Sequence, residues 1–238
     1  MEIILIDNNL VDRFYAIDCH AESNHLDWDY HKSKKEPVSK SHSFIEPIII
    51  CGSILTNELS KNIKGDILEF GCFTGISSSK LSIIAKHVNK KLFVFDSFEG
   101  LPNIDENASA EHKLIYQKGQ YCCSIKTVEN NIKTYGCIEN VNLVKGFFKD
   151  TLKDFEDVKT IAYVFVDVDL VKSLEECLDF ILPKLQKNGI LFSHEAQDPD
   201  YIPVFEKYGL LNSSDYTSLG VGNGINNTNL CLFKKLRD

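Results

Sequence analysis

From residue 66 onward the chain alternates short apolar runs with stretches of helical period. Ile161 to Val166 is an almost unbroken apolar run, the pattern of a centre strand covered on both faces. Asp66–Phe70, Leu92–Phe95, Val141–Val144, Ile190–Phe192 and Leu230–Phe233 read as further strands. Between them, about Ser77–His87, Ser124–Tyr135, Asp150–Phe155, Val171–Gln186 and Pro203–Lys207 read as helices, and Ser97–Gln120 as a long loop with helical pieces. Strand and helix in regular succession predict an α/β fold, doubly wound, with a mostly parallel sheet. Upstream, Ile45, Ile48, Ile49, Leu55 and Leu59 fit a helix over 44–62, with Pro47 in its first turn. Residues 1–43 show no period. The chain therefore divides into an N-terminal arm or cap, 1–43, and one α/β domain, 44–238. The arm holds Trp28, Tyr30 and four histidines, and is expected to cover a substrate or form a dimer contact.

Composition narrows the partners. The 238 residues carry a net charge of −8, and 43% are hydrophobic. An acidic chain does not replace the counterions of a nucleic acid, and does not favour an anionic membrane surface. No run is long and apolar enough to span a bilayer. Ile3–Ile6 lacks a basic flank and meets Asp7 at once, so no export signal is read and a cytoplasmic location is expected. Eight cysteines contain no C-x-x-C pair, which argues against a zinc site and for reduced, largely buried thiols.

The candidate chemistry begins at the first strand. Ile67-Leu-Glu69-Phe-Gly71-Cys-Phe73-Thr-Gly75 sits at a strand-to-helix turn. Gly71 and Gly75 permit tight backbone paths beside a ligand. The turn is neither G-x-G-x-x-G nor a phosphate loop with its lysine. It suits a ligand without phosphates and with a cationic end. The second strand ends at Asp96, where a carboxylate can accept both hydroxyls of a ribose.

Glu69-Phe-Gly-Cys-Phe-Thr-Gly75, Asp96-Ser-Phe-Glu-Gly-Leu-Pro102 and Val166-Asp-Val-Asp169 resemble the macrocin O-methyltransferase family, over roughly residues 44–195. That family includes enzymes methylating sugar hydroxyls of macrolides and aminocoumarins. The resemblance implies a Rossmann-like class I methyltransferase with a seven-stranded sheet and S-adenosyl-L-methionine as donor. It implies donor contacts from Glu69, Gly71, Phe73, Gly75, Asp96 and Ser97, Phe73 being the bulky residue typical of the family at that point. It also implies a divalent metal at the acceptor.

Asp167 and Asp169 follow the fourth strand and His194 and Glu195 the fifth, so neighbouring strand ends would gather them. Asp167 matches the family's metal-binding aspartate. Where the family has two adjacent acidic residues, this chain has His194-Glu195. Asp167, His194 and Glu195 could hold Mg²⁺, Mn²⁺ or Fe²⁺, the imidazole shifting preference away from Mg²⁺. Alternatively, His194 is a metal-free general base that Asp167 orients. On either reading Asp167 and His194 are the catalytic candidates. His112 and Tyr116 in the long loop read as a solvated helix face rather than an acceptor pocket. Gly220-Val-Gly-Asn-Gly224 reads as a hairpin turn.

The expected activity is O-methylation of a sugar or related small molecule, with no nucleic-acid or membrane partner and with a homo-oligomer possible. The alternatives are N- or C-methylation of a small molecule, a catechol-type O-methyltransferase, and a non-catalytic nucleoside-binding domain. A mere binder has no need of converging Asp167, His194 and Glu195.

Overall fold

The computed structural model describes residues 63–225 and 229–237, together with Phe14 and Ile17. The expected helix over 44–62 and nearly all of the arm lie outside the described residues. Phe14 and Ile17 are buried in the domain's core beside Ile63 and Ile67, so part of the stretch read as an arm packs as core.

Seven strands form one sheet: β1 (Asp66–Phe70), β2 (Leu92–Asp96), β3 (Val141–Lys145), β4 (Ile161–Val166), β5 (Leu185–Ser193), β6 (Tyr216–Leu219) and β7 (Cys231–Lys235). Their order is β3-β2-β1-β4-β5-β7-β6. The first five run parallel, β7 pairs antiparallel with β5, and β6 antiparallel with β7. The helices are α1 (Ile76–His87), α2 (Ala110–Ile115), α3 (Ile125–Tyr135), α4 (Phe148–Thr151), α5 (Val171–Ile181) and α6 (Ile202–Lys207). No helix of the described residues is long and apolar enough to cross a membrane.

Alternation along the strands feeds two cores. Ile67, Val94, Tyr163 and Phe165 pack on the face that holds α1 and α3. Leu68, Phe70, Phe95, Val164 and Val166 pack with α5 on the other. Burial on both faces is why these strands read as continuous apolar runs. The edge strand β6 was not expected. Its Thr217, Ser218 and Leu219 are exposed, so it lacks the apolar signature on which the expectation relied. The Gly-rich segment 220–224 leads out of β6 towards β7, in keeping with the expected turn. The helix expected to run to Gln186 stops at Ile181, because Leu185 already pairs with Ile161 in the sheet. The helix expected over 150–155 lies at Phe148–Thr151.

The order reverses at β1, which has β2 on one side and β4 on the other. At such a switch point the loops diverge and leave a crevice beyond the strand ends. Gly71 makes the crevice possible. It has φ 77°, and a Cβ there would stand 1.9 Å from the backbone oxygen of Asp167. Only a bare backbone lets the β1 and β4 exits run this close. The Gly71 amide donates to Phe95 O and the Asp167 amide to Phe70 O, both at 2.9 Å, so the three strand ends are tied together.

Candidate active site

A cavity of about 1110 Å³ opens over these strand ends, large for one small ligand and sufficient for a nucleoside together with a second substrate. Gly71, Phe73, Asp96, Ser97, Asp167 and His194 all line it. Sequence motifs more than a hundred residues apart therefore meet on one surface. Glu69, Gly75 and Glu195 are not among its walls.

Asp96 ends β2 with its carboxylate fixed by the β1 turn and its own loop. Its Oδ2 accepts the Cys72 amide at 2.8 Å and its Oδ1 the Phe98 amide at 2.7 Å. Each oxygen keeps capacity for another donor, so the group is oriented in advance to receive a ligand's hydroxyls. Ser97 holds the next turn: its Oγ donates to Gly100 O at 2.7 Å and accepts the Glu99 amide at 3.0 Å. Phe73, with φ 44°, packs edge-on against Tyr121 at 5.8 Å and forms another wall.

Glu69 differs from the expected donor contact. Strand alternation turns its side chain to the Ile67 side of the sheet, into the β1–α1 interface, where it is fully buried. Its carboxylate accepts the Ser78 hydroxyl of α1. Burial is the main reason its pKa rises to about 7, opposed by the hydrogen bonds from Ser77 and Ser78 and assisted by the Asp167 and Asp96 carboxylates. The folded value lies above the ordinary one, so this group's contribution to stability is complete below about pH 4.5 and is lost as pH rises through about 7. The span corresponds to about 3 kcal/mol. Glu69→Gln keeps the shape and removes the titration, and is expected to flatten the fall in melting temperature between pH 5 and 8. Unchanged pH dependence in that variant would contradict the buried-carboxyl assignment. Gly75 is likewise structural. It starts α1 at φ 81°, and a Cβ there would meet Val128 of α3 at 2.7 Å.

The acidic group lies beyond β4 and β5. His194 Nδ1 stands 3.2 Å from Asp167 Oδ1. Burial lowers the imidazole pKa, but the Asp167, Glu195 and Asp169 carboxylates outweigh it and raise it to about 9. Asp169, at φ 58°, also lines the cavity, and burial with neighbouring Asp167 and Glu195 holds its carboxyl well above the usual range. Sequence reading noted Asp169 but gave it no role. Its strand-end spacing from Asp167 was the available signal. Glu195 Oε1 instead accepts the Asp169 amide at 3.2 Å, bracing that loop.

The expected metal trio does not close. Among the described residues, the group offering three ligand atoms within 4.8 Å of one another is His112, Asp198 and Asp200, not Asp167, His194 and Glu195. In the trio, Asp167 is engaged with His194 and Glu195 with a backbone amide. His112 also departs from the expected solvated face. It is 2% exposed, and its Nε2 lies 2.7 Å from Asp198 Oδ2. Tyr116 packs edge-on against it at 5.3 Å. Of the six described cysteines, Cys72, Cys177 and Cys231 are buried as expected and Cys122 is exposed.

Comparison with known proteins agrees with this fold. Residues 52–197 match the model of the macrocin O-methyltransferase family. By sequence, no curated protein matches. Among solved structures, the chain is similar to the O-methyltransferase NovP, with TM-score 0.71 and 20% identity over 84% of each chain. It is similar to the calicheamicin methyltransferase CalS11, with TM-score 0.58 and 14% identity over 100% of this chain and 98% of that one. A methyltransferase from Geobacter sulfurreducens gives TM-score 0.51 and 14% identity over 93% and 90%. At these identities the structures speak for the fold, which is that of α/β methyltransferases. The family match covers more than half of the sequence and contains the β1 turn, the Asp96 loop and the Asp167–Glu195 region, so the chain belongs to the macrocin O-methyltransferase family and is an S-adenosylmethionine-dependent methyltransferase.

Proposed function

We propose that this enzyme methylates a hydroxyl of a sugar or glycoside. The observation that carries the reading is one continuous cavity, lined by a prefixed ribose acceptor, Asp96, after β2 and by the Asp167–Asp169–His194 group after β4 and β5. S-adenosylmethionine, when bound, supplies a methyl group made electrophilic by its sulfonium. Asp96 receives the ribose hydroxyls, and the backbone at Gly71 lets the ligand lie close to the strand ends. A cavity wall carrying Asp96, Asp105, Asp167 and Asp169 favours a cationic donor over one with phosphates.

Beside His194, an aliphatic hydroxyl needs its proton removed as its oxygen acquires carbon. With His194 Nδ1 turned to Asp167, the neutral ring can take that proton at Nε2. Asp167 orients the ring and stabilises the imidazolium that results. Because Asp167, His194 and Glu195 do not share one ligand-sized space, no step is assigned to a metal there. The test is transfer of radiolabelled methyl from S-adenosylmethionine to a panel of sugar nucleotides and glycosides, with amines and catechols alongside. Label in an ether at a sugar hydroxyl supports the proposal. Label appearing only on nitrogen, carbon or a catechol overturns the acceptor assignment and leaves the methyltransferase intact.

A further inference from the structure

We propose that His112, Asp198 and Asp200 form a binding site for one divalent cation on the acceptor side of the cavity. The three come from distant parts of the chain. His112 sits in α2, within the long loop after β2, while Asp198 and Asp200 sit in the loop after β5. His112 Nε2 lies 2.7 Å from Asp198 Oδ2 and 3.5 Å from Asp200 Oδ2, and one ligand atom from each residue falls within 4.8 Å of the others. For an ion to sit between them, His112 Nε2 and Asp198 Oδ2 must part by a few tenths of an ångström.

The local sequence explains why they converge. Ser109 caps α2 by accepting the His112 amide, which fixes the turn from which the imidazole projects. Asp198 Oδ1 accepts the Asp200 amide at 2.9 Å, a tight turn that sends both carboxylates to one side and leaves Asp198 Oδ2 for the site. His112 is buried, while Asp198 and Asp200 are half-buried. His112 and Asp200 line the cavity, so an ion held there would be reachable by oxygens of an acceptor.

A second, independent observation is Tyr201. This tyrosine is fully buried, and its hydroxyl has no hydrogen-bond partner among the described residues. Its ring lies 5.6 Å from that of His112, and the carboxylates of Glu195, Asp169 and Asp198 lie close enough to act on its hydroxyl. A buried phenol left unmet is uncommon in a native fold. A hydrated cation beside Asp198 supplies the missing polar neighbour. Excess carboxylate in this region, from Asp169, Glu195, Asp198 and Asp200, favours a cation for the same reason. One imidazole and two carboxylates form a mixed nitrogen and oxygen donor set, which suits Mn²⁺, Fe²⁺ or Zn²⁺ better than Mg²⁺.

The proposal is independent of the acceptor's identity, and methyl transfer could stand if it failed. The test is titration of the EDTA-treated, dialysed full chain with Mn²⁺ and with Zn²⁺. Calorimetry and loss of the free Mn²⁺ paramagnetic resonance signal provide the readouts. One ion per chain is expected. His112→Ala and Asp200→Asn should each weaken binding by more than the roughly 10–100-fold that losing a mere supporting partner costs. Asp167→Asn should bind the ion as the unmodified chain does. Asp200 is at the cavity rim, so its variant tests the site even if removing buried His112 perturbs folding. Melting temperature and S-adenosylhomocysteine binding serve as folding controls. No binding by the unmodified chain overturns the proposal. So does binding that survives Asp200→Asn in a folded protein, or that is lost only in Asp167→Asn.

Discussion

Asp96→Ala is expected to weaken S-adenosylhomocysteine binding by about two to four orders of magnitude while the protein stays folded. Two ribose hydroxyls donating to one carboxylate make two hydrogen bonds to a charged group, each contributing roughly 1.5–3 kcal/mol. The same substitution releases the Cys72 and Phe98 amides, which Asp96 holds at 2.8 and 2.7 Å. The β1 turn and the Asp96 loop thus lose the link that orients them toward the donor. Asp96→Asn is not a mild alternative. Both carboxylate oxygens already accept backbone N–H groups, so the amide of asparagine must point its NH₂ at one of those donors. It should approach the alanine variant in its effect on affinity, whereas simple loss of charge would predict a smaller one. Calorimetry with S-adenosylhomocysteine separates these cases, and an affinity unchanged in Asp96→Ala would remove Asp96 from the donor site.

The parts of the fold legible in the sequence were those set by local pattern. β1, β2 and β4 are buried on both faces, and their apolar runs announce them. Gly71 and Asp96 were legible because a positive-φ turn and a strand-end carboxylate have few other uses in such a sheet. What failed was whatever depended on distant partners. His112 looks like a solvated helix residue until Asp198, 86 positions away, accepts it. Glu69 stands at a strand end in the sequence, yet alternation and Ser78 turn it under α1 rather than into the cavity. β6 escaped because an edge strand with polar exposed positions resembles a loop. Glu195 was placed in a metal trio because it follows β5. A one-residue step along a chain leaving a strand alters where a side chain points, so His194 faces the cavity and Glu195 braces the Asp169 amide. The arm boundary at residue 43 rested on absent periodicity, and Phe14 and Ile17, three residues apart, were too small a signal to reveal core packing.

His194→Ala is expected to lower turnover by about 10²–10⁴, the usual contribution of a positioned general base, with donor affinity little changed. The pH profile identifies the group. Burial would depress the imidazole pKa, and the carboxylates of Asp167, Glu195 and Asp169 reverse that and raise it to about 9. A base works in its neutral form, so turnover should climb about tenfold per pH unit below that value and level off above it. Asp167→Asn removes the nearest counter-charge to the imidazolium. The inflection should then move to lower pH, while the plateau falls because the ring has lost its orienting partner. Asp169 gives a different signature. Its carboxyl is also raised by burial and by Asp167 and Glu195, but asparagine at 169 keeps the His194–Asp167 pair, and the inflection would persist if His194 is the base. Wild-type turnover in His194→Ala would exclude it. An inflection that stays near pH 9 in Asp167→Asn would show that the titrating group is not this imidazole, because no histidine freed of its principal counter-charge, in a site that burial otherwise makes unfavourable to a cation, keeps so high a pKa.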